Sequence, residues 1–414
     1  MQAPIPFPRH ADAVVVGARA AGAATAMLLA RAGLRVLVVD RGREGADTLS
    51  THALMRAGVL QLHRWGLLEA VRAAGTPAVR RATFHYAGEA LAFDVNARDG
   101  VDALFAPRRT LLDPLLVQAA RAAGARVEHQ VTALSLLEGA GGRVRGVVLG
   151  GPEGPPIEVE AGIVIGADGL HSRVAMHVGA ATERTARNAT ATIYGHWSSL
   201  PVEGYHWYYQ PGLSAGAIPT NGGQTCVFVA MPPPRYALGS GAGLGHLFWN
   251  VLAEAAPDLA EAARSARLDE KLHPFPGTPG FLRRASGPGW ALVGDAGYFK
   301  DPLTAHGLTD ALRDAELLAR AVVQGGDDAL AAYQAARDGA SLPLFELTDR
   351  IASFDWDLAA VRTLHQQLSK AMAAEVDLLR GLAVPALPGA AEAHPPRLEA
   401  ICEGSAAPAR SPVA

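Results

Sequence analysis

The sequence predicts an α/β protein in which an antiparallel sheet domain is inserted into a parallel-sheet domain, with helices at the C-terminal end. Three patterns lead to this fold class. Residues 13–39 are typical of strand, glycine turn, helix and strand; residues 187–231 alternate apolar and polar side chains; and residues 342–383 have helical character. The 414 residues, 49% of them apolar, are too many for one core and indicate two or three domains.

The first pattern is a βαβ unit. An apolar strand at 13–16 is followed by an alanine-rich helix at 20–32 and by a second strand that ends before Asp40. An acid about twenty residues beyond a glycine turn is typical of Rossmann-type dinucleotide-binding domains. Gly17 permits the tight turn, and Gly22 allows the helix to pack close to the sheet. Asp40 is expected to accept both ribose hydroxyls and to repel a 2′-phosphate, which favours FAD or NAD over NADP here.

Arg19 departs from the usual turn, which has a glycine at this position so that the pyrophosphate can approach the backbone. Two interpretations are open. The side chain could turn to solvent while its backbone still donates to the phosphate, or the guanidinium could pair with the pyrophosphate. We assign Arg19 to the cofactor site together with Ala20 and Ala21 in the turn and Arg41 beside Asp40.

Two later segments each end a buried strand with a glycine and an acid. Asp168 follows a predicted strand at 161–165, and Asp295 follows one at 291–293. Asp295 is placed to accept a ribityl hydroxyl, and the helix amides beyond residue 305 face the carbonyl edge of a flavin; a structural acid in a strand-to-helix loop is the alternative. Three segments in this order indicate FAD. The residues assigned to the cofactor here are Asp168, Gly294, Asp295, Pro302, Gly307 and Leu308.

The domain boundaries follow from where the pattern changes. The predicted FAD-binding domain is discontinuous and comprises residues 1–78, 103–182 and 284–340. The predicted β-rich substrate domain comprises residues 79–102 and 183–283, followed by a helical segment at 341–384. Residues 385–414 are dominated by Pro, Ala, Gly and Ser, and are expected to be a disordered tail.

Composition limits the partners and the setting. A net charge of −3 gives no electrostatic reason to bind nucleic acid or an anionic membrane surface, so a small molecule is the expected partner. Cys226 and Cys402 form no CxxC pair or ligand cluster, so no metal and no disulfide are expected. No stretch approaches the roughly eighteen apolar residues of a membrane span. We expect a soluble cytoplasmic protein, and its oligomeric state stays open.

In the three cofactor segments, which contain Gly17, Asp168 and Asp295, the chain resembles the group A flavoprotein monooxygenases, which have the para-hydroxybenzoate hydroxylase type of fold. That fold also occurs in geranylgeranyl reductases, squalene epoxidases and flavin-dependent halogenases. The resemblance covers roughly residues 12–338. It implies that Arg56 and Arg109 contact the cofactor, whereas Arg19 and His306 are departures from the family's pattern.

The resemblance implies a reaction. NADH or NADPH reduces FAD, the reduced flavin adds O2 to form a C4a-hydroperoxide, and one oxygen passes to a nucleophilic, often aromatic, small molecule. We therefore expect a FAD-dependent monooxygenase acting on an aromatic or polycyclic substrate. A reductase of the geranylgeranyl reductase type is the alternative. A halogenase is disfavoured because the WxWxIP motif and the early lysine of that group do not occur in this sequence, and a flavin redox sensor without turnover also stays open.

Candidate catalytic and substrate residues are harder to predict because the cofactor carries the chemistry. His52, Lys300 and His306 are candidates for tuning the flavin, although a solvated loop lysine and a helix-capping histidine are the alternatives for the latter two. Aromatic side chains on predicted strands of the β-rich domain could line the substrate pocket, but alternation sends about half of them to the far face, where they would be core. The substrate-pocket candidates are Trp197, Trp207, Tyr209 and Tyr298.

Overall fold

The computed structural model describes residues 7–151 and 154–385. The α/β fold class is confirmed, since a largely parallel sheet and a largely antiparallel sheet are both present with packed helices. The tail predicted at 385–414 lies, apart from Pro385, outside the described residues. No helix within the described ranges is both long enough and apolar enough to cross a bilayer.

The strands in chain order are β1 (His10–Val16), β2 (Val36–Asp40), β3 (Arg81–Tyr86), β4 (Glu89–Asp94), β5 (Arg126–His129), β6 (Thr132–Glu138), β7 (Val144–Gly150), β8 (Ile157–Gly166), β9 (Thr182–Thr185) and β10 (Ala191–Ser198). They continue with β11 (Tyr205–Gln210), β12 (Leu213–Pro219), β13 (Gln224–Met231), β14 (Arg267–Leu268), β15 (His273–Phe275), β16 (Phe281–Arg283), β17 (Ser286–Gly287), β18 (Trp290–Leu292) and β19 (Tyr298–Phe299).

The helices are α1 (Ala20–Arg31), α2 (Arg56–Arg64), α3 (Leu68–Ala73), α4 (Arg109–Ala122), α5 (Arg173–His177), α6 (Pro233–Ser240), α7 (Leu244–Ala255), α8 (Pro257–Ser265), α9 (Gly307–Gln324), α10 (Asp327–Ala352) and α11 (Leu358–Gly381). Helix α10 begins at Asp327 and continues through Pro343, whereas the sequence pattern indicates helical character from residue 342 onward. It therefore crosses the predicted boundary at residue 341.

The first sheet has the strand order β17-β18-β8-β1-β2-β5, and the β6–β7 hairpin pairs with β8. Strands β18, β8, β1, β2 and β5 are parallel. Val14 and Val15 of β1 are both fully buried but belong to cores on opposite faces, which explains the uninterrupted apolar run. Because β1, β8 and β18 are neighbours with the same direction, the three predicted cofactor segments meet at one edge of the sheet.

The second sheet has the order β14-β10-β13-β12-β11-β3-β4, with β15 paired to β10. Its pairings are antiparallel except for β11 with β3. One face packs against α7 and α8, while the other packs against α10 and α11. Helices on both sides explain why β10, β12 and β13 are almost entirely buried. The cavity described below lies between the edge of the first sheet and strands β10 and β15 of the second.

Candidate functional site

A cavity of about 920 Å³ lies where the three cofactor segments meet the second sheet. Its wall includes the turn after β1, the end of β2, the loop after β8 and the loops on either side of β19. Ligands of doubly wound α/β folds bind at this edge, outside the carboxyl ends of the strands. The position of the cavity therefore follows from the strand order.

The turn after β1 is shaped by two glycines. Gly17 has a φ of +111°, and a Cβ there would lie 2.3 Å from the Ala167 carbonyl oxygen. A Cβ on Gly22 would lie 1.9 Å from the Gly17 carbonyl oxygen. The turn, the first turn of α1 and the loop after β8 are thus in direct contact. The start of α1, including Ala20 and Ala21, lines the cavity, where free helix amides suit a phosphate.

Arg19 and Arg109 share one carboxylate at the cavity wall. Arg109 makes a bidentate pair with Asp113, with both N–O distances 2.9 Å. The Arg19 guanidinium lies 3.5 Å from the same carboxylate and also reaches the Asp47 carbonyl oxygen. Two guanidinium groups share this one acid, so its carboxylate cannot neutralise both of them. This arrangement supports the interpretation in which Arg19 pairs with a pyrophosphate.

Asp40 and Asp168 are held by neighbouring donors. Asp40 accepts hydrogen bonds from the amides of Ala18 (2.8 Å) and Gly42 (2.7 Å), so its carboxylate also stabilises the turn. Asp168 accepts from the Ser172 hydroxyl and from two amides at the start of α5. Both acids line the cavity, as does the exposed Arg41 beside Asp40. The structure therefore adds a local structural role to each predicted cofactor contact.

Asp295 faces the cavity from the turn after β18. Gly294 has a φ of +61°, and a Cβ there would lie 2.8 Å from the Ala21 side chain, so this turn is packed on α1. The Asp295 side chain is exposed to the cavity but surrounded by protein atoms, and burial raises its pKa to about 6. Pro302, Gly307 and Leu308 also line the cavity. The open space at Gly307 leaves the first turn of α9 accessible to a ligand.

We expect Asp295→Asn to stabilise the FAD-free chain at neutral pH while weakening FAD binding. The pKa of Asp295 is about 6 in the folded chain and ordinarily 3.8, so between these two pH values the folded chain holds a proton that the unfolded chain has lost. As the pH rises through this range, the ionised carboxylate therefore destabilises the folded chain increasingly. Thermal unfolding of both proteins at neutral and acid pH measures the effect. A gain that is as large below the unfolded-state pKa as at neutral pH would contradict this explanation.

Lys300 is buried rather than solvated. It forms an ion pair with Asp310, and both side chains line the cavity. His306 is also buried, and its Nε2 lies 2.7 Å from a Glu375 oxygen on α11. His306 does not line the cavity and its side chain does not cap α9. Of these two candidates, the structure places only Lys300 where a flavin could contact it.

His306, Asp310 and Glu375 have the residue types and proximity of a metal site, with their ligand atoms within 4.8 Å of one another. Both carboxylates are already paired. Asp310 contacts Lys300 and Arg313, and Glu375 contacts Arg313 and His306. A cation would have to compete with these charges, so we interpret the cluster as a buried ion-pair network.

His52 lies on the cavity wall in a left-handed conformation, with a φ of +67°. Its Nε2 lies 3.1 Å from Nε2 of His196, which does not line the cavity. Arg56, in contrast, donates to the carbonyl oxygens of Asn96 and Val101 and does not line the cavity. The predicted cofactor contact of Arg56 thus has no geometric support, because its helix directs the side chain to the loop after β4.

Three of the four substrate-pocket candidates pack in hydrophobic cores and do not line the cavity. Trp197 packs against Phe248 and Trp249 of α7, on the side of β10 away from the cavity. Trp207 and Tyr209 belong to the core between the second sheet and the C-terminal helices. Tyr298 does line the cavity. The lining residues from β10, β15 and the loop after β15, none of which the sequence pattern indicates as pocket residues, are Thr192, Tyr194, Phe275, Pro276, Gly277 and Thr278.

The phase of alternation in β10 explains the difference. Thr192 and Tyr194 point to the cavity side, and Trp197 is out of phase with them. The period-two pattern separates these faces but does not say which one meets the cofactor domain. Which face of β10 meets the cofactor domain depends on how the two sheets pack against each other.

A family model described as FAD binding domain matches residues 10–341. The chain is 28% identical over 329 residues to the 6-methylpretetramide 4-monooxygenase of Streptomyces rimosus, covering 74% of this chain and 73% of that protein. It is 36% identical over 174 residues to digeranylgeranylglycerophospholipid reductase 2 of Methanopyrus kandleri, covering 41% of this chain and only 40% of that protein. The solved flavin-dependent brominase Bmp2 superposes with a TM-score of 0.77 at 17% identity, covering 91% of this chain and 96% of that one, a likeness of fold alone.

Proposed function

Because the chain belongs to the FAD binding domain family, as its resemblance to the group A flavoproteins predicted, we propose that it is a FAD-dependent monooxygenase. Its reductant is NADH or NADPH, and its substrate is an aromatic or polycyclic small molecule that it hydroxylates with O2. The main support is the cavity itself, which joins the three cofactor segments to the aromatic wall of the second sheet. The match to a monooxygenase over 74% of the chain supports the same reaction class.

The residues present fit FAD. Arg19 and Arg109 would hold the pyrophosphate with the amides of α1, and Asp40 would hold the adenosine ribose. Asp295 would accept a ribityl hydroxyl, and the open first turn of α9 would face the flavin carbonyl edge. When bound, FAD supplies the redox chemistry and the activation of oxygen. The chain supplies binding, orientation and a shielded cavity.

The substrate would lie against the second sheet. Tyr194 and Phe275, on the paired strands β10 and β15, line the cavity together with Tyr298 from β19. Aromatic walls of this kind suit a flat, apolar ring system, with a small number of polar groups to orient it. This is the basis for proposing an aromatic or polycyclic substrate.

A reductase of prenyl double bonds is the second candidate. It is favoured by the 36% identity to the archaeal reductase, although that alignment covers 41% of this chain. A reductase would use the same cofactor site and would differ in consuming no O2. The two proposals therefore give opposite results when oxygen is measured.

Anaerobic mixing of the FAD-loaded chain with NADH or NADPH tests the proposal. We expect bleaching of the flavin colour to accelerate when alizarin, a hydroxylated anthraquinone, is present as a probe. Admission of air should then consume O2 and add one oxygen atom to the probe, measured by mass spectrometry. Reduction of geranylgeraniol without O2 uptake would favour the reductase, and failure of both cofactors to bleach the flavin would favour a sensor without turnover.

A further inference from the structure

A chain of three side chains connects the cavity wall to the protein surface. We propose that His52, His196 and Glu270 form a proton relay in which His52 accepts a proton from a hydroxyl or N–H group of the substrate. The inference deepens the proposed function and rests on it, since it requires the substrate to occupy this cavity. It also narrows the substrate class to molecules that can be activated by losing a proton.

The geometry of the chain is continuous. His52 Nε2 lies 3.1 Å from His196 Nε2, and His196 Nδ1 lies 2.9 Å from a Glu270 carboxylate oxygen. The two histidine side chains are buried, whereas the Glu270 side chain is 36% exposed. His52 lines the cavity. The relay therefore has one end at the cavity wall and the other in contact with solvent.

The carboxylate determines the tautomers. Because an ionised carboxylate only accepts hydrogen bonds, His196 Nδ1 must carry the hydrogen that is donated to Glu270. A neutral His196 then has a lone pair on Nε2, so His52 donates to it from its own Nε2–H. This leaves His52 Nδ1 as an acceptor, and within the described residues this buried nitrogen has no hydrogen-bond partner. An unpaired buried acceptor is destabilising, and a hydrogen-bond donor on the substrate that reached this nitrogen would remove that cost.

Burial and the surrounding positive charges keep both rings neutral. Burial, followed by the Arg108 charge, lowers the pKa of His196 to about 4. Burial, followed by the charge of His196, lowers the pKa of His52 well below its ordinary value. Arg108 also pairs with Glu270 at 3.2 Å, which favours the ionised carboxylate. The titratable and charged groups around the two histidines, besides Glu270, are Asp47, Arg108, Arg109, Tyr194, Cys226 and His273.

Each transfer along the relay moves one proton from the cavity to solvent. The substrate O–H or N–H bond breaks and its proton binds His52 Nδ1, while the Nε2 proton of His52 passes to His196 Nε2. The Nδ1 proton of His196 passes to Glu270, which releases it to solvent. No electrons are transferred, and the substrate is left as an anion, which is the more nucleophilic form. In the reverse passage a solvent proton enters through Glu270 and the His52 Nδ1 proton goes to the anionic oxygen or nitrogen of the product, which restores both tautomers.

The backbone holds the His52 ring at this position. The His52 amide donates a hydrogen bond to the Ser50 hydroxyl at 3.0 Å. Two residues later, the Leu54 amide donates a hydrogen bond to the Phe105 carbonyl oxygen at 2.9 Å. Asparagine tolerates the left-handed region at least as well as histidine does. His52→Asn therefore removes the imidazole with little change in backbone strain.

Magnetic resonance of the full chain with isotope-labelled histidine tests the tautomers without turnover. At neutral pH we expect His52 to be neutral with hydrogen on Nε2, and His196 to be neutral with hydrogen on Nδ1. The signals are assigned with His52→Asn and His196→Asn. A protonated His52, or hydrogen on its Nδ1, would overturn the relay even if the chain proves to be a monooxygenase.

Ionisation of a bound probe tests the direction of the proton. Alizarin changes its visible spectrum on losing a phenolic proton, so the FAD-loaded chain should show the ionised band at a pH where free alizarin is mostly protonated. His52→Asn and Glu270→Gln should each lose most of that band. His206→Asn is the matched control, because His206 forms a similar pair with His85 (3.0 Å) on the second sheet away from the cavity. Equal ionisation of alizarin in the wild-type chain and in all three variants would also overturn the proposal. If alizarin does not bind, the histidine tautomers measured by magnetic resonance decide whether the relay exists.

Discussion

Gly22→Ala is expected to abolish stable FAD binding, although alanine is the better helix former. The added Cβ would lie 1.9 Å from the Gly17 carbonyl oxygen and 3.0 Å from the Ala167 side chain, and a backbone oxygen cannot rotate away. Helix α1 must therefore move off the turn that it forms with Gly17. Overpacking of this kind costs about 1–3 kcal/mol or more, and here the displaced amides are those expected to bind the pyrophosphate. Flavin fluorescence after gel filtration measures how much FAD remains bound.

Gly339→Ala is the matched control for that substitution. Gly339 is also inside a helix, α10, but a Cβ there meets nothing within 4 Å. Helix propensity alone should then stabilise the chain by about 0.5–1 kcal/mol and leave FAD content unchanged. If both variants retain FAD equally well, the close approach at Gly22 does not control the cofactor site.

Arg313→Met is expected to cause the largest loss of stability among the charged positions. Arg313 is fully buried on α9. It forms ion pairs with Asp314 on the same helix and with Glu375 on α11, and it donates a hydrogen bond to the Ser341 hydroxyl on α10. Methionine occupies much of the same volume but leaves these carboxylates short of positive charge. Removal of one partner from a buried ion pair costs about 3–5 kcal/mol. Chemical denaturation of the wild-type and variant chains measures the difference in free energy of unfolding.

The pH dependence separates lost charge from lost packing. Burial already raises the pKa of Asp314 to about 6, and the loss of Arg313 removes the main opposing charge. A carboxyl with a folded-state pKa above its unfolded value destabilises the chain more as the pH rises through that range. The deficit of Arg313→Met should therefore shrink on acidification.

A surface arginine provides the comparison. Arg145 pairs with Glu160, and both side chains are about half exposed. Arg145→Met should cost less than about 1 kcal/mol, because solvent screens the pair. A deficit of Arg313→Met no larger than that of Arg145→Met would show that the buried network contributes little.

Much of the cavity wall in the first domain could be predicted because its signals are local. Gly17 and Asp40 belong to one strand–turn–helix–strand unit, where turn geometry and the end of a buried strand determine the residue types. Asp168 and Asp295 each follow an apolar strand, so their placement at the same sheet edge required only that the strands be parallel neighbours. Arg56 could not be placed in this way, since its contacts lie in the loop after β4.

The contacts made by the candidate catalytic residues are long-range. His52 meets His196 across 144 residues, and His306 meets Glu375 across 69, so no local pattern in the sequence contains either pair. Lys300 is ten residues from Asp310, but its burial depends on the docking of α9 against the loop after β19.

The sequence by itself therefore determined the fold class, the family and the segments that line the cavity at the edge of the first sheet, because each depends on short-range chain geometry. The tertiary structure alone decided which face of β10 meets the cavity and which titratable groups are neighbours. Both depend on how the two sheets and the C-terminal helices pack, and packing joins residues that the sequence keeps far apart.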